Sequence, residues 1–422
     1  MWGGRPSAAP HRCLRTIFFV QFRRIDRAAV ALAWVLVAAV LADALAYVAS
    51  GRPLFADLQV YRLALHHLGS GGSGLYDARA VGGAPFTYPP AAAVLLAPLG
   101  ALSVTAAGAV MTALSVAALV VVARRCLRGA AGVALPLLLA LALVSVPVRN
   151  VLFFGQVGLL LLLLVALDLL DVTPPKARGL FVGVAAAVKL TPFVFVPLLW
   201  FAGRRREAAV ATGTAVLLEA VGWLVMPRAS TAYWTGVLWH TNRVGDVNGP
   251  RNRSLWGLVP HGHLAGALLL AVACAAVLAV AYVRAGRALR AGGDVGALAI
   301  TGMASVAVSP ISWSHHLVWL VPAEAVALVT ARFGLLAVLA ALAYRWPGAS
   351  AHMLALMQAA AALFVVALLP TSGLATKRPV PLEGRDTGRP LVGMAGFEPT
   401  TSSSRTRRAT KLRHIPVVRR RV

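Results

Sequence analysis

Asp57 lies in the run Phe55-Ala56-Asp57-Leu58-Gln59-Val60-Tyr61, just beyond the first long apolar stretch of the chain. A carboxylate there can take a proton from a hydroxyl nucleophile, or it can only complement the dipole at a helix start. Acidic residues are scarce: 14 in 422, against 40 lysines and arginines. The span pattern set out below places three of them, Asp57, Asp77 and Asp246, in loops on the far side of a bilayer. Chemistry that needs a carboxylate on that side has few to draw on. Asp57 and Tyr61 are four apart and would share a helix face, which predicts an amphipathic surface helix with a carboxylate at its start.

Other segments carry candidate chemistry, each with a plainer alternative. Leu75-Tyr76-Asp77 and Phe86-Thr87-Tyr88-Pro89-Pro90 are aromatic and turn-rich, which suits a sugar or lipid headgroup or an interfacial aromatic belt. Gln156, after Gly155, can orient a hydroxyl-rich ligand or bridge helices. Lys189 falls mid-membrane by length, beside Pro192, where an ionisable group meets a phosphate or closes a helical hairpin. In the polar loop around 234–254, Arg243 and Arg251 can fork onto phosphate oxygens and Asn252 onto sugar hydroxyls, with His240 and Asp246 nearby; a solvated loop would also be polar. Trp313, His315 and His316 sit at a span boundary. Adjacent histidines on a helix point about 100° apart, so this pair is not expected to share a metal. One of them can meet an anionic leaving group, or both can be plain interfacial histidines. No three-ligand metal set appears locally, and the three cysteines show no metal spacing.

The elements that must position these groups are apolar helices. The chain is 59% hydrophobic and 13% charged, with a mean hydropathy of +0.77. Apolar runs of about 20 residues recur, the length a helix needs to cross a bilayer. The net charge of +26 gathers at span ends and in the C-terminal tail, without the basic and aromatic interleaving of single-strand binders, so no nucleic-acid partner is expected. Spans are expected at about 28–49, 103–123, 131–148, 157–171, 207–226, 264–283, 296–312, 317–331, 333–346 and 350–370. The stretch 89–101, broken by Pro98 and Gly100, is expected to be re-entrant or interfacial. The stretch 179–203 is either one span or a hairpin broken near Lys189-Leu190-Thr191-Pro192. The hairpin is favoured, because it returns Arg204, Arg205 and Arg206 to the cytoplasmic side. This gives about twelve crossings with both termini inside, in an all-α polytopic membrane protein. The organisation expected is a basic N-terminus at 1–27 that is not a typical signal peptide, a membrane domain at 28–370 and a basic tail at 371–422.

Together, and in this order, Asp57-Leu58-Gln59-Val60-Tyr61, Leu75-Tyr76-Asp77, Phe86-Thr87-Tyr88-Pro89-Pro90, Gly155-Gln156, Gly183 through Lys189-Leu190-Thr191-Pro192, and Ser309-Pro310-Ile311-Ser312-Trp313 with His315-His316 resemble the bacterial polyprenol-phosphate-mannose-dependent mannosyltransferases, glycosyltransferase family 87 of the GT-C superfamily. The resemblance covers roughly 28–370. It implies a GT-C-type transmembrane helical bundle with outer-face loops and interfacial helices, in the cell membrane, with its active site on the extracytoplasmic side. The donor would be a polyprenyl-phosphate-mannose and the acceptor a glycolipid or lipoglycan, joined through an inverting, α-1,2-forming step. No metal and no cofactor beyond the lipid-linked donor is implied. By the same resemblance Asp57 is the base and His315 and His316 are catalytic. Tyr61, Asp77, Tyr88, Gln156, Lys189, His240, Arg243, Asp246, Arg251, Asn252 and Trp313 would contact substrate. One departure stands out: Pro250-Arg251-Asn252-Arg253-Ser254 replaces a Gly-Asn-Gln-Ser-like run, with an arginine where glutamine is usual.

The chemistry fits those residue types. In a single displacement one carboxylate takes the proton from the attacking hydroxyl, and a phosphate leaving group needs positive charge rather than a second acid. The competing expectation is a transporter or flippase for polyprenyl-linked glycans, which should place ionisable groups through the midplane and show repeated halves. Few ionisable groups fall at depth here, and no repeat is evident. The Gly393–Arg405 run resembles a peptide translated across a transfer-RNA gene, so the tail is expected to be a reading-frame artefact; the rival expectation is a basic tail that holds anionic lipid.

Overall fold

A computed structural model describes residues 27–49, 55–128, 131–249, 251–259, 262–343 and 350–371. The expected N-terminal segment before Arg27, the tail beyond Thr371, and Pro250 lie outside the described residues. Apart from one isolated bridge between Arg79 and Pro85, the regular elements among the described residues are helices. The protein is an all-helical membrane protein.

Among the described residues three helices are long and apolar enough to cross a membrane: α4 (Val104–Leu127), α10 (Arg205–Val225) and α12 (Leu264–Arg290). α4 starts at Ser103, whose hydroxyl accepts the Ala106 N–H at 3.1 Å, and ends on Arg124 and Arg125, where cations meet the free carbonyls. α12 starts at His263, whose Nδ1 accepts the Gly266 N–H at 3.0 Å, and ends on Arg287 and Arg290. Earlier in the chain come α1 (Arg27–Ala49), α2 (Ala56–Leu68) and α3 (Pro90–Leu96). Between α4 and α10 lie α5 (Ala131–Val144), α6 (Val146–Phe154), α7 (Gly158–Leu169), α8 (Leu180–Val188) and α9 (Phe195–Phe201). α11 (Pro227–Thr235) follows α10. The C-terminal part holds α13 (Asp294–Val308), α14 (Leu320–Val329), α15 (Phe333–Ala343) and α16 (Ala351–Leu368).

Several of these apolar helices are shorter than a bilayer span, so the expected count of about twelve crossings does not follow from helix length among the described residues. Hydropathy registers the apolar stretch but not the break inside it. The stretch expected as one span over 131–148 runs only to Val144, and α6 then departs at 65°. The cause is local: Pro147 has no N–H and restricts the residue before it, while Ser145 turns its hydroxyl onto the Ala142 carbonyl at 2.7 Å. The stretch 89–101 forms α3 and a 3₁₀ turn, Ala97–Ala101, packed on α2.

The choice over 179–203 is decided by ion pairs. α8 stops at Val188, Lys189 is extended, and a 3₁₀ turn at Thr191–Val194 leads into α9. Arg204 and Arg178 both reach the Asp171 carboxylate, at 3.3 and 2.9 Å, and Arg206 donates to the Pro175 and Lys176 carbonyls. Residues 171–178 and 204–207 therefore share one end of the bundle, as the hairpin requires. Arg128 with Asp294, at 3.4 Å, and Arg290 with the Phe201 carbonyl, at 3.1 Å, gather at that end too. The opposite end holds α2, the segment 75–89, the α6–α7 turn, the loop after α11 and the residues around 310–316.

α2 is fixed at its start by Phe55, which adopts a left-handed conformation (φ 33°) with its side chain buried. Its ring fills the space a side chain would need at Gly108 on α4 and also packs against Gly155. Gly155 ends α6 with φ 67°, and an added Cβ would stand 2.8 Å from the Leu58 Cβ. A bare backbone at this point lets the α6–α7 turn touch α2. Gly155→Ala is expected to destabilise the protein by about 1–3 kcal/mol through overpacking and backbone strain. Thermal unfolding in detergent checks this, with Gly213→Ala, where an added Cβ meets nothing within 4 Å, expected to cause no loss.

Candidate active site

The contact of α2 with the α6–α7 turn brings Gln156 against Asp57. Gln156 Nε2 donates to Asp57 Oδ2 at 2.6 Å. Its Oε1 accepts from the Tyr61 hydroxyl at 2.8 Å and from the Tyr88 hydroxyl at 3.2 Å. The two phenol oxygens are 3.0 Å apart. Burial pushes both phenols above their ordinary range, with the nearby Asp57 charge adding to it, so they remain O–H donors. A carboxylate only accepts, so the amide turns its NH₂ towards Asp57 and its oxygen towards the two phenols. Burial raises the Asp57 carboxyl above the ordinary carboxylate range, against the lowering effects of the Gln156 bond and the Lys189 charge.

Asp57 opens onto a cavity of about 830 Å³, within the range of roughly 300–1,000 Å³ usual for ligand sites. Nine of the fourteen expected site residues line it: Asp57, Tyr88, Gln156, Lys189, Arg243, Arg251, Trp313, His315 and His316. Lys189 comes from the break in the α8–α9 hairpin. Its Nζ lies 2.9 Å from His316 Nε2 and 5.4 Å from the centre of the Tyr88 ring. His316 Nδ1 accepts the Trp313 N–H at 3.2 Å. His315 and His316 stand with their rings perpendicular, and His315 Nε2 is buried without a partner among the described residues. No group of three or more His, Cys, Asp or Glu among the described residues could hold a metal ion. Asp57 is the one acid among the lining residues, facing the cations Lys189, Arg243, Arg251 and Arg253.

The other five expected residues lie elsewhere. Tyr61 sits behind Gln156 and is fully buried. Asp77 is exposed. Asp246 is exposed and holds the Asn248 N–H of its own turn at 3.0 Å. His240 is exposed, with its Nδ1 on the Gly236 carbonyl at 2.8 Å. Asn252 is buried and occupied by protein: Nδ2 donates to the Val247 and Pro310 carbonyls, both at 2.8 Å, and Oδ1 accepts from Ser254 and from the Ser312 N–H. It ties the loop after α11 to the segment entering His315.

Among the lining residues that were not expected to contact substrate are Arg253 and Gln358. Arg253 is buried, its Nε donates to Ser314 Oγ at 3.4 Å, and burial with the nearby Arg251 charge lowers it to about 10. Gln358 carries the signal of an amide in an otherwise apolar helix, α16. Because Asn252 bonds only to protein, Asn252→Ala is expected to cost about 2–3 kcal/mol of stability. Thermal unfolding of the purified variant should register that loss.

A family model described as Glycosyltransferase family 87 matches residues 86–310. A polyprenol-phosphate-mannose-dependent alpha-(1-2)-phosphatidylinositol mannoside mannosyltransferase of Mycolicibacterium smegmatis is 33% identical over 317 residues, 67% of each chain. A phosphatidylinositol pentamannoside mannosyltransferase of the same dependence and linkage, also from M. smegmatis, is 36% identical over 248 residues, 56% of this chain and 60% of the relative. An alpha-(1->3)-arabinofuranosyltransferase of Corynebacterium glutamicum is 32% identical over 185 residues, 41% of this chain and 42% of the relative. The chain thus spans about three-fifths to two-thirds of these mannosyltransferases' length. No solved structure matches. With a family match over just over half of its residues and a relative one-third identical across two-thirds of both chains, the chain belongs to glycosyltransferase family 87.

Proposed function

We propose that this protein transfers mannose from a polyprenyl-phosphate-mannose donor to a glycolipid or lipoglycan acceptor, with inversion and an α-1,2 link, on the extracytoplasmic face of the cell membrane. The observation that carries this reading is the placement of Asp57 and the Lys189–His316 pair on one cavity. The acceptor hydroxyl oxygen attacks the anomeric carbon from the side opposite the phosphate. As the new C–O bond forms and the sugar–phosphate bond breaks, the hydroxyl proton passes to Asp57 and the electron pair leaves with the phosphate. Lys189 and the neighbouring cations meet that growing charge.

The relatives' names support the donor and a mannoside acceptor. The arginine-rich end formed by residues 171–178 and 204–207 supports the sidedness: basic residues favour the cytoplasm, and the cavity lies at the opposite end of the bundle. A GT-C-type bundle with interfacial helices accords with α2 and α3, short helices packed beside the cavity. Most charged groups gather at the two ends of the bundle rather than along a path between them, which speaks against a flippase.

Asp57→Asn should lower transfer from labelled polyprenyl-phosphate-mannose in membranes by about 100-fold or more at matched expression. Transfer that survives this change refutes the base assignment, and a wild type that uses no lipid-linked sugar overturns the reading in favour of the flippase. The base works ionised, so activity should fall as pH falls through the raised Asp57 value, at a pH above the ordinary carboxylate range. Gln156→Ala removes a donor that favours the ionised form, so the acid limb of the pH–rate profile should move to still higher pH.

A further inference from the structure

Gln358 lies on α16, a helix of otherwise almost wholly apolar residues and beyond the part of the chain that the family model matches. Its side chain is 1% exposed, and it lines the same cavity as Asp57 and Lys189. Oε1 accepts from the Ser314 hydroxyl at 2.9 Å. Ser314 Oγ in turn accepts from Arg253 Nε at 3.4 Å, so its own proton is free to point at Gln358. In this arrangement the amide oxygen faces Ser314, which leaves the NH₂ with no protein partner among the described residues on a side chain that lines the cavity.

An NH₂ group offers donors and no acceptor. A sugar hydroxyl asks for both, whereas a phosphate oxygen only accepts. The same wall carries the Arg253 guanidinium, held on the same serine, and the two histidines that follow Ser314 in sequence. The charge on this wall is that of Arg253, and the one acid among the lining residues belongs to another element, α2.

We propose that Gln358 binds a phosphate oxygen of the lipid-linked donor, with its amide nitrogen aimed into the cavity by Ser314 and Arg253. Lys189 and Gln358 would then hold the phosphate from two elements, the hairpin break and α16. This inference rests on the proposed donor class.

The test is binding of a polyprenyl monophosphate, the product of the proposed transfer, to purified full-length protein in detergent. Tryptophan emission reports it, since Trp313 lines the cavity, and an alkyl mannoside serves as an uncharged probe. Gln358→Met, close in shape and without donors, should weaken phosphate-lipid binding about ten-fold or more while leaving the mannoside unchanged. Gln358→Glu should weaken it further, since a carboxylate repels the phosphate; if that buried charge prevents folding, Gln358→Met alone decides. Wild-type affinity for the phosphate lipid in Gln358→Met overturns the inference and leaves the donor reading standing. Loss of mannoside binding with phosphate binding intact assigns the amide to the sugar and also overturns it. A wild type that binds no polyprenyl phosphate overturns both.

Discussion

The hydrogen bond from the Gln156 amide to the Asp57 carboxylate is the contact around which this structure is arranged. A carboxylate drawn partly out of water is costly to ionise unless donors replace the water it lost. The base proposed here must ionise, yet it must not be so stabilised that it loses its hold on a proton. One short bond of 2.6 Å and a distant cation supply part of what burial removes, and leave the carboxyl raised. Two tyrosine hydroxyls donate to the other end of the amide, and the opposite flip would set its oxygen against the carboxylate. Phe55 and Gly155 set the backbones that place the two partners.

Charge in the cavity is lopsided in a way that suits group transfer. Four cations and one carboxylate line it, and His316 stands 2.9 Å from Lys189. In the displacement proposed above negative charge would move from the attacking oxygen to the departing phosphate, and the cations are in place before it arrives. Preorganised charge of this kind lowers a barrier without reorganisation during the reaction. The loop after α11 can carry part of that charge because Asn252 holds it down, with backbone bonds to both Val247 and Pro310.

The broken helices serve the same end. Lys189 is available because α8 stops at Val188 and the chain resumes helix only after Thr191-Pro192. An unbroken span there would bury its ammonium against a neighbouring helix. Ion pairs at the opposite end, around Asp171, keep both arms of the hairpin in register.

The sequence by itself determined the class of the molecule and much of the site. Apolar runs bounded by arginines mark the helices, because lipid demands internally bonded backbone and basic residues mark span ends. The scarcity of acids singled out Asp57, and the arginines at 204–206 pointed to the hairpin. Only the tertiary structure decided which polar residues face the cavity and which hold the protein together. Tyr61 and Asn252 have the composition of ligand contacts, yet both bond to protein. Gln358 has the composition of a helix bridge and bonds to Ser314, yet it also lines the cavity. Where a side chain's remaining donors point depends on what already occupies its other atoms, and those partners lie far away in sequence: Tyr61 with Gln156, Asn252 with Pro310, Gln358 with Ser314.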